Sequence, residues 1–156
     1  MLKIFFILLG ALLCSAPSFA HVQVKLPVPE VETLPNGLTL VWFLSDNLPM
    51  IDLTLFVKSG YRDDPVGKSG TAELVAALLD RGAAGMNAQQ IARAIEMLGG
   101  VHYASADDDT FNIGLHGLAP DANQFLDLLG KIVTHADFPE AEVKREHARL
   151  LDRWNH

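Results

Sequence analysis

Apolar residues recur along this chain with two periods, and the alternation between them lays out an order of elements. After a break at Pro49, Ile51, Leu53, Leu55 and Val57 alternate with Asp52, Thr54, Phe56 and Lys58, the two-residue period of a strand with one face buried. Upstream, residues 31–34 and 38–43 flank Pro35-Asn36-Gly37, a turn signal that predicts a hairpin of two short strands. Downstream the period lengthens: Leu74/Leu78 and Val75/Leu79 stand at i,i+4 on a helix otherwise filled with alanine, a composition suited to close packing on a sheet. A second helix is specified at both ends, by Asn87 with Gln90 three residues on and by Gly99-Gly100, and carries Ile91, Ile95 and Leu98.

Residues 101–106 and 110–116 read as a second hairpin around Asp107-Asp108-Asp109, with Phe111, Ile113 and Leu115 pointing one way. Asp121 is placed to cap a helix striped by Phe125, Leu128, Leu129, Ile132 and Val133. Pro139 opens a last helix with Val143, His147, Leu150, Leu151 and Trp154 on one face. The order β-β-β-α-α-β-β-α-α predicts an α+β fold, a mostly antiparallel sheet with helices packed on one side.

The ends add a location and a boundary. Lys3 precedes an apolar run over residues 4–13, too short to span a bilayer comfortably, and Ser18-Phe19-Ala20 sets small residues where a signal peptidase cuts. The expectation is a signal peptide over residues 1–20, an extended proline-rich arm over 21–29, and a single αβ domain from 30 to 156 in a periplasmic or secreted protein. The sole cysteine, Cys14, would leave with the leader, so stability would rest on packing without disulfides. The last helix stops at His156 without a glycine or asparagine cap, which reads as truncation of a longer domain. The formal net charge of −7 argues against nucleic acid or anionic lipid as a partner, and no stable membrane insertion is expected after cleavage.

Four phrases in order carry a resemblance: Leu34-Pro35-Asn36-Gly37-Leu38, Lys58-Ser59-Gly60-Tyr61-Arg62-Asp63, Gly67-Lys68-Ser69-Gly70 and Phe138-Pro139-Glu140. With the order of elements, they resemble the N-terminal domain of the insulinase/pitrilysin zinc peptidases, which include mitochondrial processing peptidase. Active members carry His-x-x-Glu-His after the Gly-Lys-Ser-Gly lead-in. Laid on this chain, the two histidines fall on Glu73 and Ala77 and the general-base glutamate on Ala76; the third ligand, a glutamate, falls on Asp152 or Arg153. Two imidazoles grip one zinc ion only from the same helix face, and a glutamate beside them activates the bound water. Alanine offers neither. The expectation is therefore no catalytic residue, no metal ligand and no cofactor, although zinc serves the active relatives. Leu78-Leu79-Asp80-Arg81-Gly82 looks like the variant of the non-catalytic bacterial members. For those the resemblance implies pairing with an active subunit around an unfolded peptide.

Other chemistry in the sequence is weaker. Gly67-Lys68-Ser69 lacks the earlier glycine of a phosphate loop, Arg62 standing there instead. Asp107-Asp108-Asp109 supplies too few oxygens for calcium and reads as a solvated turn. His147 reads as a packed core residue. His102 and His116, on paired strands, would be adjacent across the sheet. A rival reading, a zinc endopeptidase with displaced ligands, needs His102, His116 and one of Asp107 to Asp109 to converge; a nonfunctional gene fragment is the remaining alternative.

Overall fold

The computed structural model describes residues 27–45 and 47–155, so the leader expected over residues 1–20 and all but the last three residues of the expected arm lie outside the described residues. The chain falls into two compact units that divide between Ser45 and Asp46. The first holds an antiparallel hairpin, β1 (Glu30–Thr33) and β2 (Thr39–Trp42), in the register Val31↔Val41 and Glu32↔Leu40. Its turn is closed by the Gly37 amide donating to the Leu34 carbonyl, and Gly37 takes φ of 85°, the left-handed backbone that makes glycine the residue of choice there.

The second unit is built on a three-stranded antiparallel sheet in the order β3 (Met50–Val57), β7 (Phe111–Leu118), β6 (Val101–Ala106), which places β7 in the centre. Register sets Leu53 against Leu115, Leu55 against Ile113 and Ala104 against Ile113, so the predicted alternation delivers one apolar face. Ile51, Leu53 and Leu55 are only half-buried as edge-strand residues, and Val57 at the strand end is exposed. Four helices follow the expected order: α1 (Thr71–Leu78), α2 (Ala88–Met97), α3 (Ala122–Thr134) and α4 (Glu140–Asn155). The core joins Ile113 and Leu115 to Leu79, Ile91, Ile95, Phe125, Leu128, Leu129 and Ile132. Among the described residues, no helix is long and apolar enough to cross a membrane.

One element went unforeseen. Between α1 and α2 the chain makes a two-residue hairpin, β4 (Gly82–Ala83) with β5 (Met86–Asn87), turning through Ala84 at φ 51° and Gly85 at φ 76°. No strand-length apolar alternation announces it. It is held from outside, by the Ala84 amide donating to the His135 carbonyl and the Asp137 amide to the Gly82 carbonyl. Asn87 then caps α2 as expected: its side chain accepts from the Gln90 amide at 3.0 Å while Gln90 accepts from the Asn87 amide at 2.9 Å. Asp121 does stand at the N-cap of α3, but its carboxylate accepts from the Gln124 side chain, not from a helix amide.

Candidate functional site

The segment before α1 is shaped to deliver that helix. Gly67 and Gly70 both take left-handed backbone, at φ 77° and 90°, and the Asp64 carboxylate accepts from the amides of Gly70 (2.7 Å), Thr71 (3.1 Å) and Ala72 (2.9 Å). Three of the N-terminal donors that a helix leaves unsatisfied are thereby met by the chain's own anion. A phosphate would find that position filled, which agrees with rejection of a phosphate loop. Asp64 is the cap that sequence spacing missed, because it lies six to eight residues upstream and reaches back only through the glycine turns.

From this start α1 presents Glu73, Ala76 and Ala77 to a cleft of about 250 Å³ whose other walls are Tyr61, Ala104, Ser105 and Ala106 of β6, and Arg149 and Arg153 of α4. Of Asp152 and Arg153 on α4, it is Arg153 that reaches this cleft. Its Nη2 donates to Glu73 Oε1 at 2.6 Å, whereas Asp152 does not line the cleft. A guanidinium therefore meets the carboxylate in the cleft wall. Partial burial, then Glu73 and Asp107, hold the Tyr61 phenol above its ordinary value of 10.0, with Arg153 pulling the other way. The side chain is thus a neutral hydroxyl at physiological pH.

These residues do not fit zinc. Glu73 is the one carboxylate in the cleft, Ala76 and Ala77 carry no donor, and Arg153 is a fixed cation that cannot ligate and would repel the ion.

Behind the cleft lies a second ion network that the sequence reading passed over. Glu146 is buried, accepts from Arg149 Nε at 2.6 Å, and stands 3.7 Å from both Arg81 and Arg145. Arg81 also donates from Nε to the Ala77 carbonyl, satisfying the C-terminal end of α1. The contact face of α4 thus runs through Glu146 and Leu150. His147, expected in the core, is exposed instead and borders a groove with Lys68, Leu74, Leu151 and Trp154. The apolar stripe misled because it was centred one position too far along the helix; a charged residue at 146 is no signal of burial unless its arginine partners are known.

The displaced-ligand reading fails on register. His116 pairs with Val101 and His102 with Leu115, so the two imidazoles stand on opposite faces of the sheet and are not adjacent. His102 Nε2 lies 3.1 Å from Asp80 on the helix side, while His116 Nδ1 lies 3.5 Å from Asp52 on the open side. The Asp107–Asp109 turn is engaged elsewhere: the carbonyls of Asp107 and Asp108 accept from the amides of Tyr61 and Arg62, and Asp109 pairs with Arg62. Among the described residues, no three His, Cys, Asp or Glu side chains are grouped to hold a metal ion.

Comparison with known proteins agrees with the fold. Zinc protease PqqE of Helicobacter pylori is 26% identical over 148 residues, which cover 93% of this chain and 33% of that protein. Cytochrome b-c1 complex subunit 2 of Mus musculus mitochondria is 27% identical over 121 residues, 78% of this chain and 26% of that protein. A crystal structure described as a peptidase M16 inactive domain from Pseudomonas fluorescens superposes with a TM-score of 0.75 at 24% identity, covering 82% of this chain and 31% of that one. The chain thus spans about a third or less of the length of these relatives. The model of the insulinase family, peptidase family M16, matches residues 43–156. Since that match takes in well over half of the sequence, the chain belongs to the insulinase (M16) peptidase family.

Proposed function

We propose that this chain is a non-catalytic M16 unit that binds an extended peptide and works beside a catalytically active M16 subunit in the periplasm or outside the cell. One observation carries the reading: at positions 73, 76, 77 and 153 the helix pair offers a carboxylate, two methyl groups and a guanidinium, closed on itself by the 2.6 Å Glu73–Arg153 bond. That arrangement neither holds a metal ion nor deprotonates a water, yet it keeps α1 and α4 in place around the cleft. The peptide reading draws support from β6, which among the described residues pairs with β7 along one edge and with no strand along the other, and forms the rim of the cleft with Ala104, Ser105 and Ala106. An unpaired strand edge is a template for an added strand, whose main-chain hydrogen bonds give affinity without demanding one sequence. The subunit reading draws support from a relative named as a component of a larger complex, cytochrome b-c1 subunit 2.

A fluorescein-labelled unfolded peptide, incubated with the chain and equimolar zinc, tests both halves. Saturable anisotropy with no cleavage by mass spectrometry is the expected result. Cleavage abolished by a chelator would overturn the non-catalytic reading, and flat anisotropy up to millimolar chain would overturn peptide binding.

A further inference from the structure

We infer that the cleft between α1, α4 and β6 is a carboxylate pocket, which selects among bound peptides those with an acidic side chain facing Arg149 and Arg153. The inference rests on the peptide-binding reading above and adds the side-chain class the site takes. Arg149 and Arg153 stand one helical turn apart on α4, so both guanidinium groups project to the same side and line the same cleft. Each guanidinium carries five N–H donors in a planar fork matched to a carboxylate. Arg149 gives its Nε to Glu146 and Arg153 one Nη2 to Glu73, while the two side chains remain 55% and 53% exposed.

The charge within the lining points the same way: two guanidinium groups face the single carboxylate of Glu73. Glu146, the partner of Arg149, is buried beneath the surface and shared with Arg81 and Arg145, so it does not meet an incoming ligand. This positive pocket belongs to a chain of net charge −7, so the preference comes from short-range pairing and not from long-range steering. The neutral hydroxyl of Tyr61 lines the same space and offers a further donor to a carboxylate oxygen. An apolar side chain placed there would cover the guanidinium groups without pairing them, which is costly.

The test is fluorescence anisotropy with a nine-residue peptide, amidated at its C-terminus, carrying Glu or Gln at its centre. The Glu peptide is expected to bind about five- to tenfold more tightly, the difference between a charge-assisted and a neutral hydrogen bond. Arg149→Gln is expected to bring the Glu peptide down to the affinity of the Gln peptide, whereas Lys144→Gln, on an exposed part of the same helix, leaves the preference intact. Equal binding of the two peptides overturns the inference. A Gln peptide with a free C-terminal carboxylate that matches the Glu peptide overturns the side-chain assignment in favour of chain ends. Blocked glutamate, N-acetyl and N-methylamide capped, separates this inference from the peptide reading. If no peptide binds but blocked glutamate saturably shifts the Arg149 and Arg153 Nε–H signals in 15N NMR, the carboxylate pocket stands and strand addition falls. If blocked glutamate leaves those signals unmoved as well, the pocket falls too.

Discussion

Glu73 and Arg153 stand 80 positions apart in the chain and pair two helices, and their coupling energy measures how firmly the pair ties α1 to α4. The side chains are 22% and 53% exposed, so the pair is neither a fully hydrated surface contact nor a buried one. Two unit charges about 4 Å apart attract by about 4 kcal/mol at an effective dielectric constant of about 20, before the cost of removing water and freezing both side chains. Exposed pairs retain roughly 0.2–1 kcal/mol after those costs. Given the half-exposed guanidinium, a coupling of about 1 kcal/mol is expected. The assay is a double-mutant cycle of Glu73→Gln, Arg153→Met and both together, by urea unfolding at pH 7. With a slope of roughly 1–3 kcal/mol per molar urea, each single variant should shift the midpoint by about 0.3–1 M. Raising NaCl from about 0.05 M to 1 M, where the Debye length falls to about 3 Å, should remove much of the coupling. A coupling indistinguishable from zero at low salt, or one unchanged by salt, would refute the claim that this pair ties α1 to α4.

Three further outcomes are expected. A Cβ on Gly117 would stand 2.2 Å from Cζ of Phe125, a fully buried ring with no room to swing aside, so Gly117→Ala should destabilise by about 1–3 kcal/mol, read as a lower urea midpoint. Ala84 occupies left-handed backbone at φ 51° followed by Gly85, a turn that favours Asn-Gly; Ala84→Asn should raise the melting temperature, with a gain of about 0.5–1 kcal/mol. Burial would raise the Asp80 carboxyl, but the His102 hydrogen bond, followed by Arg81 and the His102 charge, outweighs it and holds the group below its ordinary 3.8. Because the folded value is the lower one, the stabilisation is complete above the unfolded value and fades as pH falls through the folded one. The stability gap between wild type and Asp80→Asn, measured by urea unfolding, should therefore be open at about pH 5 and close below about 3.8.

The sequence by itself determined what depends on neighbours along the chain. The alternation through Ile51, Leu53 and Leu55 and the stripe through Phe125, Leu128, Leu129 and Ile132 fixed strand, helix and buried face, because period alone decides which side chains share a side. The Asn87–Gln90 box fixed the start of α2, since both partners lie within four residues. The helix through Glu73, Ala76 and Ala77 was likewise legible, for its period is carried by neighbours within one continuous segment.

Only the tertiary structure decided what depends on partners far along the chain. It turned Arg153 toward Glu73 and the cleft, because rotation of α4 about its axis is set by packing against α1 and not by its own pattern. It buried Glu146 and exposed His147, since a carboxylate surrounded by three arginines from two segments is tolerated inside, and the sequence shows no such enclosure. It set His102 and His116 on opposite faces, because a shift of one residue in strand register reverses every side chain. The Asp64 cap and the β4–β5 hairpin complete the set: each is held by hydrogen bonds that close only after remote segments have come together.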